Sequence, residues 1–114
     1  MLATPNQSPQ LARRLQRFWP YRLLTGETGQ LLASDKFFRQ LPPPLVPYII
    51  IAGSAGPRGR WSPFHNEVND WLVAVEETKL VPGDTPIILP VGHTFMMNDP
   101  QVQLVVRQAL AHVP

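Results

Sequence analysis

His93 stands directly after an apolar run in Leu89-Pro90-Val91-Gly92-His93-Thr94-Phe95, and Asp70 precedes it by 23 positions. A carboxylate that binds one imidazole nitrogen fixes the histidine tautomer and stabilises the cation formed when the other nitrogen takes a proton. Asp70 and His93 are therefore candidates for the acid and base of a hydrolytic triad, passing a proton from an attacking hydroxyl to a leaving group. The nucleophile does not accompany them. The chain has no cysteine, and its serines are Ser8, Ser34, Ser54 and Ser62, none within a recognisable nucleophile motif. His65, Glu67 and Asp70 form a looser set that could approach one ion, but zinc sites need ligands at definite spacings, so no metal and no cofactor is expected. His112 lies near the end of the chain and is expected in solvent.

Two short apolar runs must carry the pair. Residues 85–91, bounded by Gly83-Asp84 and Gly92, have the character of a parallel strand buried on both faces. Residues 47–53 have the same character, and the polar, glycine- and proline-rich stretch after them ends in Asn69-Asp70. Both candidate residues then leave the carboxyl ends of parallel strands, the edge where ligands bind in open α/β sheets. A third strand remnant is expected near residues 1–4.

From Tyr48 to Val106 the segments "YIIIAGSAGP", "NDWLVAVEETKL" and "LPVGHTFMMNDPQV" resemble the C-terminal third of lipase-like and esterase-like members of the α/β-hydrolase superfamily. The opening "MLATPNQS" is similar to the stretch that follows the nucleophile-bearing strand, turn and helix in those enzymes. The resemblance is weakest between Pro9 and Pro47. It implies an α/β unit spanning residues 1–114, a partial α/β-hydrolase fold of two or three parallel strands and flanking helices. It also implies an acid at Asp70, a base at His93, an ester substrate, and a fold that begins upstream of Met1. The chain departs from the family twice. Trp71 follows the acid where the family usually has glycine, so an indole is placed to crowd or cover the loop. The Gly-x-Ser-x-Gly turn that carries the nucleophile is missing. Ser54, in Ala52-Gly53-Ser54-Ala55-Gly56, has alanine at minus two and no helical pattern after it, and reads as a loop serine.

Composition sets wider bounds. An apolar share of 44% in 114 residues suits one globular unit. Two parallel strands alone leave an apolar edge unpaired, so either a second copy or an amino-terminal hydrolase half is expected to pair with it. No stretch approaches the roughly 20 apolar residues of a membrane span, and there is no leader pattern, so a cytoplasmic location follows by default. Residues 1–60 carry eight basic and two acidic side chains, a net +6, whereas residues 61–114 carry two basic and six acidic, a net −4. Halves of opposite sign attract within a molecule or across a dimer. Nucleic acid is not an expected partner, because no aromatic platform or binding module accompanies the basic half.

The remaining segments suggest supports. Ser8 is positioned to cap a helix over residues 9–18 that Pro20 ends, and a second helix is expected over residues 28–38. Residues 41–47 form a stiff, proline-rich lead into the first strand. A short helix is expected at residues 73–79. A last helix starts at Asn98 or Asp99 with Pro100 in its first turn, and Val102, Val105, Val106, Ala109 and Leu110 form its buried stripe. In this setting Phe95, Met96 and Met97 read as packing beneath the histidine loop.

Three functions are compatible with this reading. The chain supplies Asp70 and His93 to a serine on another polypeptide and is inactive alone, or it is a non-catalytic module that associates through its open sheet edge. In the third, water activated by His93 slowly attacks small activated esters without a serine.

Overall fold

The computed structural model describes residues 1–112, and within them every side chain but those of Trp19, Tyr21 and Arg22. The two apolar runs become β1 (Ile51–Gly53) and β2 (Ile87–Leu89), shorter than the runs themselves. They pair in parallel, with Ile51 opposite Ile87 and Gly53 opposite Leu89. On the other side of β1, Leu2 forms a parallel bridge to Ile51. There the Ala3 N–H donates to the Ile51 carbonyl at 2.7 Å, and the Ile51 N–H donates to the Met1 carbonyl at 2.9 Å. The architecture is mixed helix and strand, a two-stranded parallel sheet extended by one bridge and flanked by helices. Among the described residues no helix is long and apolar enough to cross a membrane.

Burial differs between the strands. Every residue of β1 is buried, whereas β2 is not the doubly covered strand expected, and Ile88 is 48% exposed. A strand buried on both faces needs cover from both sides, and the sheet ends at β2. The connection between the strands contains no α-helix at residues 73–79; only a 3-10 turn forms, at Val75–Thr78.

Helix α4 (Pro100–Ala111) starts as its sequence dictates. Asp99 Oδ1 accepts the Gln101 and Val102 N–H groups at 2.8 and 3.1 Å, which satisfies donors that have no partner within the helix. Its stripe is narrower than expected. Val102 is buried and Val105, Val106 and Ala109 are half-buried, but Leu110 faces solvent. Val102 joins Ala3, Val91 and Met96 in a small core, with Leu2, Leu89 and Val106 packed against it.

The amino-terminal helices depart further from expectation. Helix α1 is short (Gln10–Leu15), and Ser8 does not cap it. Instead Ser8 Oγ donates to the Leu32 carbonyl at 2.8 Å, and the Gln10 N–H is taken by Glu77 Oε1 at 2.7 Å. Pro20 does not end a helix but lies in the first turn of α2 (Trp19–Leu32), where its missing N–H is no loss. Gly26, with φ +54° and ψ −139°, kinks α2. The helix expected over residues 28–38 is divided at Ser34, whose Oγ accepts the Phe37 N–H at 3.3 Å and caps α3 (Asp35–Arg39).

Candidate active site

Asp70 follows the long loop after β1, and His93 lies four residues beyond β2. Asp70 Oδ2 and His93 Nδ1 are 2.8 Å apart. The carboxylate is 1% exposed, and its other oxygen accepts the Val73 and Leu72 N–H groups at 2.8 and 3.1 Å. A buried charge persists only when paired and hydrogen-bonded, and here both oxygens are engaged. The backbone joins the loops a second time, the His93 N–H donating to the Asp70 carbonyl at 2.9 Å. With the carboxylate at Nδ1, the neutral imidazole carries its proton there and presents Nε2 as an acceptor. The imidazole is 33% exposed, and among the described residues nothing hydrogen-bonds Nε2. A histidine so held can take a proton from a hydroxyl and return it to a leaving group.

The residues around the acid explain its placement. Asn69, fully buried, donates from Nδ2 to the Pro57 and Glu67 carbonyls at 2.8 and 3.0 Å and accepts the Trp71 N–H on Oδ1 at 3.0 Å. Gly53 and Gly56 give this loop its room. A Cβ at Gly53 would meet the Val91 carbonyl and lie 2.7 Å from Asp70 Cβ, and one at Gly56 would meet Asn69 Oδ1. These three residues escape a search for chemistry-bearing side chains. The one signal was an amide next to the acid after a glycine-rich stretch.

No serine completes the pair. Ser54 Oγ donates to the Leu89 carbonyl at 3.2 Å and Ser62 Oγ to the Pro57 carbonyl at 2.8 Å, while Ser8 and Ser34 serve the helices. His65 lies apart from the pair, with Nε2 3.1 Å from an Arg14 guanidinium nitrogen. Arginine can only donate, so that imidazole nitrogen accepts. His112 is exposed, and its Nδ1 donates to the Gln108 carbonyl at 2.7 Å. Among the described residues no three His, Cys, Asp or Glu side chains converge as a metal site would require. Of the three residues after Thr94, only Met96 packs inward; Phe95 and Met97 are exposed.

Glu77 is the other buried acid, 4% exposed, and was not singled out by sequence. Burial pushes its carboxyl above the usual carboxylate range, against the opposing pull of the Gln10 and Ala74 N–H groups that it accepts. Its contacts tie α1 to the 3-10 turn, a structural role.

No protein-family model, no curated protein and no solved structure matches the chain.

Proposed function

We propose that Asp70 and His93 are the acid and base of a Ser-Asp-His ester hydrolase whose serine comes from another polypeptide segment. On this reading the chain corresponds to the C-terminal portion of a lipase- or esterase-like α/β-hydrolase fold and is inactive alone. The observation that carries the reading is the 2.8 Å contact between a buried, fully hydrogen-bonded carboxylate and a histidine whose Nε2 is open. The order of residues 1–3, β1 and β2, with the acid after β1 and the base after β2, supports it further.

In the completed site His93 Nε2 removes the serine proton as the hydroxyl oxygen attacks the ester carbonyl. Asp70 remains ionised and stabilises the imidazolium. The proton passes to the departing alcohol, and water, activated by the same nitrogen, releases the acid from the serine. Donors for the oxyanion belong with the serine segment.

The test is hydrolysis of 4-nitrophenyl butyrate by the chain alone and after co-expression with a polypeptide bearing Gly-x-Ser-x-Gly. The chain alone should not exceed buffer, and the complemented complex should turn over. His93→Ala should remove about 10,000-fold of the restored rate. Restored hydrolysis that survives His93→Ala would reject the assignment.

One observation favours a second reading, a non-catalytic self-association module. The chain exposes 8102 Å², against about 6,300 Å² expected for a folded monomer of its mass. The excess on one chain is about twice what each partner of a standard interface buries, the scale of an obligate one, and Ile87 and Ile88 lie within the exposed apolar surface. A compact dimer that persists on dilution and never supports hydrolysis would favour this reading, and a well-behaved dilute monomer would reject it.

A further inference from the structure

We propose that Trp71 is the ligand-contact residue of the Asp70–His93 site, its indole packing the uncharged hydrocarbon part of an ester beside the Gly92–His93 corner. The proposal rests on the reading of the pair as acid and base and names the class of substrate that the pair would meet.

Trp71 sits at φ +85°, a region that side chains larger than glycine or asparagine adopt only at a cost. The fold gains little burial in return, because the residue is 60% exposed. The conformation is nevertheless held from both sides. Asn69 Oδ1 fixes the Trp71 N–H, and Asp70 Oδ1 fixes the two N–H groups that follow. The result aims the indole across the loop. Its Cδ1 lies 3.6 Å from where a Cβ on Gly92 would stand, so it overhangs the residue before His93. A strained aromatic that is left in water over the residue preceding His93 is better accounted for by a ligand than by packing.

The ligand's character follows from the two loops. Leu72 on the first and Phe95, 74% exposed, with Met97 on the second, face solvent. Residues 71–75 and 85–98 contain no Lys, Arg, Asp or Glu, and the charge of Asp70 is already engaged. Neither stretch compensates a charged ligand, the cations Arg58 and Arg60 lying on the loop that packs behind the Trp71 backbone, whereas an aromatic face and aliphatic neighbours suit a neutral apolar one.

The full chain, labelled with 15N, is titrated with methyl benzoate and separately with benzoate, following the Trp71 indole and His93 imidazole signals by NMR. The ester should shift both signals saturably, and the anion should shift neither. Trp71→Gly should weaken the ester by about tenfold, the value of one aromatic contact. It should also keep the His93 Nδ1 proton signal and melt no lower than the parent, because glycine fits the backbone. Trp71→Phe should bind within about threefold of the parent, and Trp71→Asn should bind as poorly as the glycine variant, so the test does not depend on one variant folding.

Unchanged binding in Trp71→Gly, shifts confined to the other tryptophans, or loss of the Nδ1 proton with the indole would each overturn the proposal. Trp71 shifts that follow protein concentration without ester would overturn it too, by assigning the cover to a second copy. Ester binding through Trp71 alongside complemented activity that ignores His93→Ala would sink the hydrolase reading alone. Activity that needs His93 with an unmoved KM in Trp71→Gly would sink this inference alone.

Discussion

Asp70 illustrates how much one side chain is asked to do. Its Oδ1 closes the turn of its own loop and its Oδ2 orients His93, so substitutions should separate the two roles. Asp70→Asn retains an oxygen for the backbone donors but turns an amide N–H toward Nδ1, and the neutral imidazole should move its proton to Nε2. The 15N shifts of the His93 ring should report that exchange with little loss of stability. Asp70→Ala strands the buried Val73 N–H and frees that of Leu72, and should cost about 1–3 kcal/mol in urea denaturation. At Gly53 a methyl group would meet both the Val91 carbonyl and the acid's own Cβ. Gly53→Ala should therefore destabilise the fold and also weaken the Nδ1 proton signal, a pairing that a remote core substitution would not produce. The contact between Asp70 and His93 was legible because each residue follows an apolar run that could be read as a strand, which places both at one edge of the sheet. Asn69 was not, because its work is done through backbone groups that only the folded loop brings together.

Among the elements, α4 and the two strands were legible for local reasons: a capping aspartate followed by proline, and short apolar runs between turn residues. The amino-terminal helices were not. Ser8 has the right type for a cap, but its hydroxyl is spent on Leu32 and a glutamate 67 positions away receives the Gln10 N–H instead. No local pattern carries a contact of that span. Glu77 also makes a prediction in pH. Its folded carboxyl titrates above the ordinary value because burial disfavours the charge. The native state then holds the proton more tightly than the unfolded chain, so this group's contribution is full at low pH and is lost as pH rises through the raised value. The urea midpoint of the parent should fall relative to that of Glu77→Gln as pH increases across that window. Parallel curves would refute the assignment. Tyr48 and Asp84 act oppositely on one another: the Tyr48 hydroxyl donates to Asp84 Oδ1 at 2.9 Å, and two N–H groups on Oδ2 help hold that carboxyl below its usual range.

For the molecule as a whole, surface is the telling quantity. A radius of gyration of 14.8 Å exceeds the roughly 13 Å of a compact chain of this length, and the core that joins α4 to the sheet is small. The opposite charges of the two halves meet only sparsely within the molecule. The ion pairs Arg13–Asp35 and Lys79–Glu76 each lie within one half, and across the halves Arg13 acts on the Glu77 carboxyl without closing an ion pair among the described residues. If the β2 edge is where a partner sits, Ile88→Lys should shift the mass measured by light scattering toward monomer without lowering the melting temperature, since Ile88 is half in water already. An unchanged oligomer would place the contact elsewhere. The extent of exposed apolar surface could be anticipated from the scarcity of strands, but its location could not, because it depends on which strand the small helical layer leaves uncovered.

The two bonds between Asp70 and His93, one through side chains and one through the backbone, have a consequence for assembly. Loops that are stitched together twice move as one body, so Asp70 and His93 hold one relative orientation. Under the proposed hydrolase reading, completing the site is a docking problem with one rigid part. The conformational entropy of arranging the dyad has been spent during folding, and the rate at which a serine segment engages should depend on the encounter, not on a search for the right histidine pose.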